Sequence, residues 1–310
     1  MNLADAAQPG PIVVGAERSE RSRDALALAR TLARAAGTRL ILVAVYPRDA
    51  RSLSMERGAY AEALAEEAQS TLEWLVRPLS GIRAELRAVP SNSIAHALQE
   101  TAADENALAI VVGPSHRGTL GRIVPGTVGS RLLKGAPCPV AVAPRGYWSE
   151  GQPPIRRVGV GYASTPEGEE ALDAAIGLAA CSGAAVRMLS VVEPAVATAA
   201  VPLGLGYLER EERTRTALQE SLRDAIDRVG ARAEISGDVV DGYADDELAR
   251  LSDDVDLLVC GSRGHSPLGS VMVGSVSAGV LRKARSPVLV VPRGARDGFA
   301  ALRARTSAVA

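Results

Sequence analysis

Four small residues after a predicted β-strand have the types and spacing of a phosphate-binding turn. The apolar run DLLVC leads into Gly261, Gly264 follows, and Gly274-Ser275 opens the helical pattern VSAGVLRK. Glycine lets a backbone approach an anion closely and adopt positive φ. Backbone N–H groups at a helix N-terminus, together with a serine hydroxyl, suit a phosphate chain. The pattern favours an anion-binding turn over residues 261–275, although tight strand-to-helix turns also use glycine for packing alone.

The same pattern occurs earlier in the chain with one change. Gly113 and Gly126-Thr127 precede their counterparts by 148 residues, since 261 minus 113 and 274 minus 126 both equal 148. His116 stands where the second glycine should be, and its side chain would obstruct a phosphate unless the ring itself donates a hydrogen bond. Pro114 also removes one backbone donor. We therefore expect a degenerate site in this copy.

The repeat extends over nearly the whole chain and predicts two domains. Upstream, IVVGAERSERSRDALALARTLARAAG is echoed by VGVGYASTPEGEEALDAAIGLAACSG at a displacement of 146 residues. The stretch 144–157 mixes proline, glycine and charge, as linkers do. We predict one domain over 1–149, a second over 150–295 and a tail over 296–310 that is a frayed helix or disordered.

Each copy reads as a five-stranded α/β unit. Short Val/Ile/Leu runs alternate with longer stretches whose apolar residues recur every three or four positions. Strands apolar on both faces and separated by helices predict a doubly wound parallel sheet. Gly37 and Gly183 stand where a helix C-terminus needs a left-handed residue. Ligands of such sheets lie outside the carboxyl ends of the strands, which is where both glycine patterns begin.

Composition excludes some partners. The 310 residues are 47% hydrophobic and 23% charged, with a formal net charge of -1. This balance provides no strong field for nucleic acid or an anionic membrane. No basic n-region begins the chain and no run of about 18 apolar residues occurs. The three cysteines form no C-x-x-C pair, so we expect free thiols and a cytoplasmic location.

The pattern G-x2-G-x9-G-[ST] after a fourth strand resembles the ATP-binding subgroup of the universal stress protein family, and SPVLVVP resembles that family's last strand. The resemblance implies strand order 3-2-1-4-5, pairing of two such domains, and ATP, with or without Mg²⁺, held by the loop after strand four. In the second copy the implied binding residues are Gly261, Arg263, Gly264, His265, Gly274, Ser275 and Val276. In the first copy they are Glu17, Gly113, Gly126 and Thr127.

The two copies depart from the family pattern in opposite ways. The family usually carries an aspartate at the end of strand one, for a ribose or metal-water contact. Ala163 occupies that position in the second copy, whereas Glu17 supplies a carboxylate in the first. Glu17 could equally cap the first helix together with Ser19. One copy thus keeps the phosphate turn and lacks the acid, while the other keeps an acid and lacks the turn's second glycine.

Several other segments have open interpretations. Residues 195–210 could close over a site as a lid or pack as an apolar interdomain loop. We expect Arg18, Arg21 and Arg23 to be a solvated helix start, and Trp74 and Trp148 have no stacking partner visible in the sequence.

The absence of catalytic motifs argues against a dedicated enzyme. No P-loop, dinucleotide fingerprint or G-x-S-x-G elbow occurs, and His96, His116 and His265 lack metal-ligand spacing. The leading hypothesis is a non-enzymatic stress-response module that binds ATP and acts on an unknown protein partner. Its two domains would pair within the chain, and two chains could also form a homodimer. The alternatives are a nucleotide-free scaffold with decayed sites and a very slow ATP hydrolase that uses Glu17.

Overall fold

The computed structural model describes residues 9–48, 55–77, 83–115, 126–151, 153–194, 205–262 and 274–295, together with 298, 299 and 302. It is an α/β structure with strands and helices in alternation. The strands are β1 Ile12–Ala16, β2 Leu40–Tyr46, β3 Ala84–Pro90, β4 Ala109–Val112, β5 Val140–Val142, β6 Arg157–Gly161, β7 Ala185–Val192, β8 Ile235–Asp241, β9 Leu257–Gly261 and β10 Val288–Val291. The α-helices are α1 Glu20–Ala36, α2 Met55–Val76, α3 Ile94–Asp104, α4 Thr127–Leu132, α5 Pro166–Ser182, α6 Leu205–Val229, α7 Ala244–Leu251 and α8 Ser275–Lys283.

The strands form one continuous ten-stranded sheet. Its order is β3-β2-β1-β4-β5-β10-β9-β6-β7-β8, so each half has the order that the family resemblance implies. Within each half neighbouring strands are parallel. The halves meet where β5 pairs antiparallel with β10, with Ala141 opposite Leu289. The two last strands therefore pair within one chain, which the sequence had left undecided.

Both faces of the sheet carry a hydrophobic cluster that runs through the two halves. Leu289 and Val291 of β10 contribute to the cluster under α1, α2, α5 and α6. Val288 and Val290 contribute to the opposite cluster, under α3, α4, α7 and α8. This alternation follows from the two-residue period of a strand. Because each cluster contains residues of both halves, the seam between β5 and β10 is buried core.

The ends of the long helices agree with local sequence signals. The Ser19 side chain accepts a hydrogen bond from Ser22 N at the start of α1, and Thr165 accepts from Gly168 N at the start of α5. Gly37 and Gly183 end the same helices in the left-handed conformation, at φ 63° and 69°. The glycine C-caps are confirmed.

The linker and the tail are more ordered than the sequence indicates. Tyr147–Glu150 form a short 3₁₀ helix, and the Tyr147 side chain is buried. The buried Asp24 carboxylate of α1 accepts hydrogen bonds from Gly146 N and Trp148 N, each at 3.1 Å. In the tail, Phe299 and Leu302 are buried in the cluster under α1 and α5, so for these two residues the expectation of a frayed or disordered tail is wrong.

Asp24→Ala is expected to lower the free energy of unfolding by about 2 kcal/mol, because the backbone N–H groups of Gly146 and Trp148 lose their side-chain acceptor. Burial raises the pKa of Asp24 above its ordinary value. Because the pKa of Asp24 is higher in the folded protein than in the unfolded chain, Asp24 stabilises the fold fully at pH values below its unfolded-state pKa. This stabilisation declines as the pH rises through the folded-state pKa. Urea unfolding of the parent and of Asp24→Ala between about pH 4 and 7 should therefore show a difference in unfolding free energy that decreases as the pH rises. Asp104→Ala, at an exposed position, is the control; a difference that grew with pH would contradict this account.

Candidate functional site

Two clefts open at the carboxyl ends of the strands, one in each half. The first cleft has a volume of about 650 Å³ and lies between the end of β1, the end of β4 and the start of α4. The second cleft, of about 330 Å³, lies between the end of β6, the end of β9 and the start of α8. Both occupy the position where open parallel sheets bind ligands.

The structure gathers the predicted residues that it describes around these clefts. Glu17, Gly113, Gly126 and Thr127 line the first cleft. Gly261, Gly274 and Val276 line the second, and Ser275 is the first residue of α8. The remaining predicted residues, Arg263, Gly264 and His265, lie outside the described residues, as do His116 and residues 195–204 of the expected lid.

The glycines at the strand ends are explained by packing. A Cβ at Gly261 would overlap the carbonyl oxygen of Glu167 and lie 2.9 Å from its carbonyl carbon. A Cβ at Gly113 would overlap the carbonyl oxygen of Arg21 in the same way, 2.8 Å from the carbonyl carbon. Each glycine lets the end of a strand pass directly beside the first turn of α1 or α5. These positions therefore require glycine whether or not a phosphate binds.

The glycines before α4 and α8 are not explained by strain. Gly126 has φ -70° and Gly274 has φ -58°, which other residues adopt freely. Among the described residues, a Cβ at Gly126 would approach only Ser115, at 3.8 Å. Both glycines occupy N-cap positions, and neither helix has a side-chain cap within the described part of the chain. The N-termini of α4 and α8 therefore border the clefts at glycines that carry no side chain.

In the first cleft the Glu17 carboxylate already has hydrogen-bond partners within the protein. Glu17 Oε1 accepts hydrogen bonds from the Ser19 hydroxyl at 2.8 Å and from Arg21 Nη2 at 2.5 Å. Pro114 lines the cleft without a backbone donor. Arg21 is therefore an ion-pair partner with 18% of its side chain exposed, and the expectation of a solvated arginine is wrong there.

The second cleft has carboxylates that the motif did not predict. Ala163 lines it without an acid, but Glu167, one helical turn further on, also lines it. Glu167 is the counterpart of Arg21 at the displacement of 146 residues. Its side chain is 13% exposed and lies 3.4 Å from Arg293. A comparison of the two copies at this displacement would have revealed the exchange of arginine for glutamate.

Glu193 is the other carboxylate of the second cleft. It follows β7, and its Oε1 accepts a hydrogen bond from Ala244 N at 3.1 Å, at the start of α7. Among the described lining residues of this cleft no arginine, lysine or histidine occurs. An anion bound there would meet acidic side chains, so it would need a cation or the basic residues Arg263 and His265, which lie outside the described residues.

The walls of the second cleft are largely apolar. Leu189, Val191 and Leu248 line it from the sheet and α7, while Thr214 and Leu218 line it from α6. The segment expected to act as a lid therefore continues into a helix that borders the cleft. Burial raises the pKa of the Cys260 thiol, at the end of β9, to about 12. At neutral pH this cysteine is a protonated wall residue and no nucleophile.

Within the described ranges, no group of three or more His, Cys, Asp or Glu side chains is placed to hold a metal ion. No described helix has the length and apolar character needed to cross a membrane.

Comparison with known proteins identifies the family. The model of the universal stress protein family matches residues 10–144 and again 154–292. A universal stress protein of Mycobacterium tuberculosis is 25% identical over 293 residues, which cover 91% of this chain and 99% of that protein. A second universal stress protein of the same species is 31% identical over 181 residues, 58% of this chain and 60% of that protein.

A solved structure agrees with this assignment at the level of the fold. The crystal structure of a universal stress protein from Archaeoglobus fulgidus has a TM-score of 0.64 and 21% sequence identity, and the match covers 93% of this chain and 97% of that chain. The chain therefore belongs to the universal stress protein family and carries two domains of that family in tandem.

Proposed function

We propose that the protein binds ATP, together with Mg²⁺, in the second cleft and acts as a stress-response module without dedicated catalysis. The observation that carries the proposal is the start of α8. Gly274 precedes this nine-residue helix without a side-chain cap and without backbone strain, and it lines a cleft with apolar walls. A helix N-terminus of this kind favours a phosphate group.

The lining residues fit the parts of the ligand. Leu189, Val191 and Leu248 provide an apolar surface for an adenine ring, and the Thr165 side chain adds a polar group near the start of α5. The turn from Gly261 to Ser275 would hold the triphosphate. The acidic lining by Glu167 and Glu193 favours the magnesium complex over free ATP, because Mg²⁺ reduces the repulsion between phosphates and carboxylates.

Glu167 is the residue that would compensate for Ala163. It lines the same cleft four residues later, in the first turn of α5. Its carboxylate would accept a hydrogen bond from a ribose hydroxyl or from a water on the cation. The first cleft is the weaker candidate, since its Glu17 carboxylate is paired with Arg21 and its turn contains Pro114.

Binding would act by ordering the segments around the cleft. In this mechanism ATP would order residues 261–275 and 195–210, which adjoin the cleft-lining Gly261 and helix α6, and would so change the surface that a protein partner meets. A role in hydrolysis receives less support: in the second cleft Glu193 is committed to Ala244 N and Glu167 lies beside Arg293.

The test begins with the purified chain. Denaturation should release nucleotide that chromatography and mass spectrometry identify as ATP, and added ATP with Mg²⁺ should raise the thermal midpoint of the nucleotide-free protein. Inorganic phosphate, followed for hours, should not accumulate above the background of spontaneous hydrolysis. Absence of both co-purified ATP and any ATP-dependent stabilisation would favour the nucleotide-free scaffold, and steady phosphate release would favour the slow hydrolase.

A further inference from the structure

A groove on the first half, away from both clefts, brings together the two tryptophans of the chain and three arginines. It lies between α1 and α2 and is bordered by the 3₁₀ helix that follows β5; its volume is about 720 Å³. We call it the arginine–tryptophan groove. The residues that define it are Arg23, Arg30, Trp74, Leu75, Arg77 and Trp148.

The charge of the groove is incompletely neutralised by the protein. Arg23 pairs with Glu20, which lies outside the lining, at 2.8 Å. Among the described lining residues there is no carboxylate. Arg30 Nε is buried and has no hydrogen-bond partner among the described residues. Burial, together with the charge of Arg34, lowers the pKa of Arg30. A buried guanidinium donor without an acceptor is costly, so the groove favours an anion.

The aromatic rings form a rigid wall beside these donors. The guanidinium carbon of Arg23 lies 4.5 Å from the ring centre of Trp74 and 5.3 Å from that of Trp148. Arg23 thus stacks between the two indoles, an arrangement that adds cation–π attraction and fixes their orientation. Trp148 remains 42% exposed. An exposed indole that is held in place offers a surface on which a planar ring can stack.

The groove does not follow from the internal repeat. At the displacement of 146 residues, Arg23 and Arg30 of α1 correspond to Glu169 and Ile176 of α5. Glu169 instead pairs with Arg228 at 2.7 Å and accepts a hydrogen bond from the Tyr162 hydroxyl at 2.6 Å. The first half alone has arginines at these two positions, so the groove is not a remnant of the cleft shared by both domains.

We propose that the arginine–tryptophan groove binds a small planar aromatic anion. The guanidinium groups of Arg30 and Arg77 hold the anionic group, and the aromatic body stacks on the exposed part of Trp148. Carboxylate, sulfonate and phosphate heads share the geometry that a guanidinium recognises. The proposal does not depend on ATP binding, because no residue that defines the groove lines either cleft.

The test uses the full chain and the probe 8-anilinonaphthalene-1-sulfonate. Both tryptophans line the groove, so binding should quench the intrinsic fluorescence directly and saturate at one probe per chain. The neutral analogue N-phenyl-1-naphthylamine has the same rings without the sulfonate, and we expect it to bind at least about tenfold more weakly. Arg30→Gln and Arg77→Gln should each weaken sulfonate binding about tenfold, one hydrogen bond to a charged group being lost.

Arg34→Gln is the matched control, since Arg34 is an exposed arginine of the same helix that does not line the groove. It should leave the affinity unchanged within about twofold. Arg77 is exposed, so its variant is expected to fold even if Arg30→Gln is destabilised. No saturable quenching up to millimolar probe, equal binding of the neutral analogue, or unchanged affinity in Arg77→Gln would each overturn the proposal.

Discussion

Replacing Gly113 by serine is expected to lower the free energy of unfolding by about 2–3 kcal/mol, whereas Gly126→Ser should leave it unchanged within about 0.5 kcal/mol. The two glycines belong to the same predicted turn, but only one is required by packing. A side chain at Gly113 would overlap the Arg21 carbonyl, so β4 and α1 would have to separate. Within the described part of the chain, a side chain at Gly126 would meet only Ser115, at 3.8 Å, and its hydroxyl could cap α4.

Urea unfolding monitored by tryptophan fluorescence measures this difference, because both tryptophans lie in the first half. The same comparison between Gly261→Ser and Gly274→Ser should give the same ranking in the second half, where a Cβ at Gly261 would overlap the Glu167 carbonyl. Equal destabilisation by Gly113→Ser and Gly126→Ser would show that the glycines of the turn share one role, contrary to our interpretation.

Leu289→Ala is expected to lower the free energy of unfolding by about 3 kcal/mol and to destabilise both halves together. Leu289 is fully buried and lies opposite Ala141 across the seam of β10 and β5. Removing it leaves a cavity beside a small residue that cannot fill it. Because the hydrophobic clusters run through both halves, the loss should reach the first half although the substitution lies in the second.

Two spectroscopic probes distinguish one cooperative unfolding transition from independent unfolding of the two halves. Tryptophan fluorescence reports on the first half alone, whereas far-ultraviolet circular dichroism reports on the helices of both halves. We expect the two urea transitions of the parent to coincide and to shift equally in Leu289→Ala. A fluorescence transition that Leu289→Ala left unmoved would contradict a cooperative sheet.

Much of the fold could be predicted because its signals are local or repeated. The apolar runs, the helix periodicity and the left-handed glycines at 37 and 183 are set by neighbours in the sequence. The repeat indicated two similar units. Whether the last strands of the two units pair within one chain or between chains was not predictable from these signals, because nothing in the sequences of β5 and β10 specifies the partner.

The candidate site was predictable in position but not in detail. A motif assigns one role to all its glycines. Gly261 is required because the Glu167 backbone leaves no room for a side chain, whereas the φ of Gly274 is open to other residues. The family pattern places the acid at the position of Ala163, but Glu167 lines the second cleft from the first turn of α5. Arg23 was expected in solvent and instead stacks between two tryptophans that are distant in sequence. Such contacts depend on how helices pack.

The central claim is that the start of α8 binds the phosphates of ATP, and calorimetric titration of matched variants tests it most directly. Gly274→Asp supplies a side-chain cap and a negative charge where we place the phosphates, so it should preserve stability and weaken MgATP binding at least about tenfold. Gly126→Asp makes the same change in the first half and should leave binding unaltered, at one ATP per chain. The claim would be contradicted by a parent that does not bind MgATP at millimolar concentration, or by binding that Gly126→Asp removes and Gly274→Asp retains.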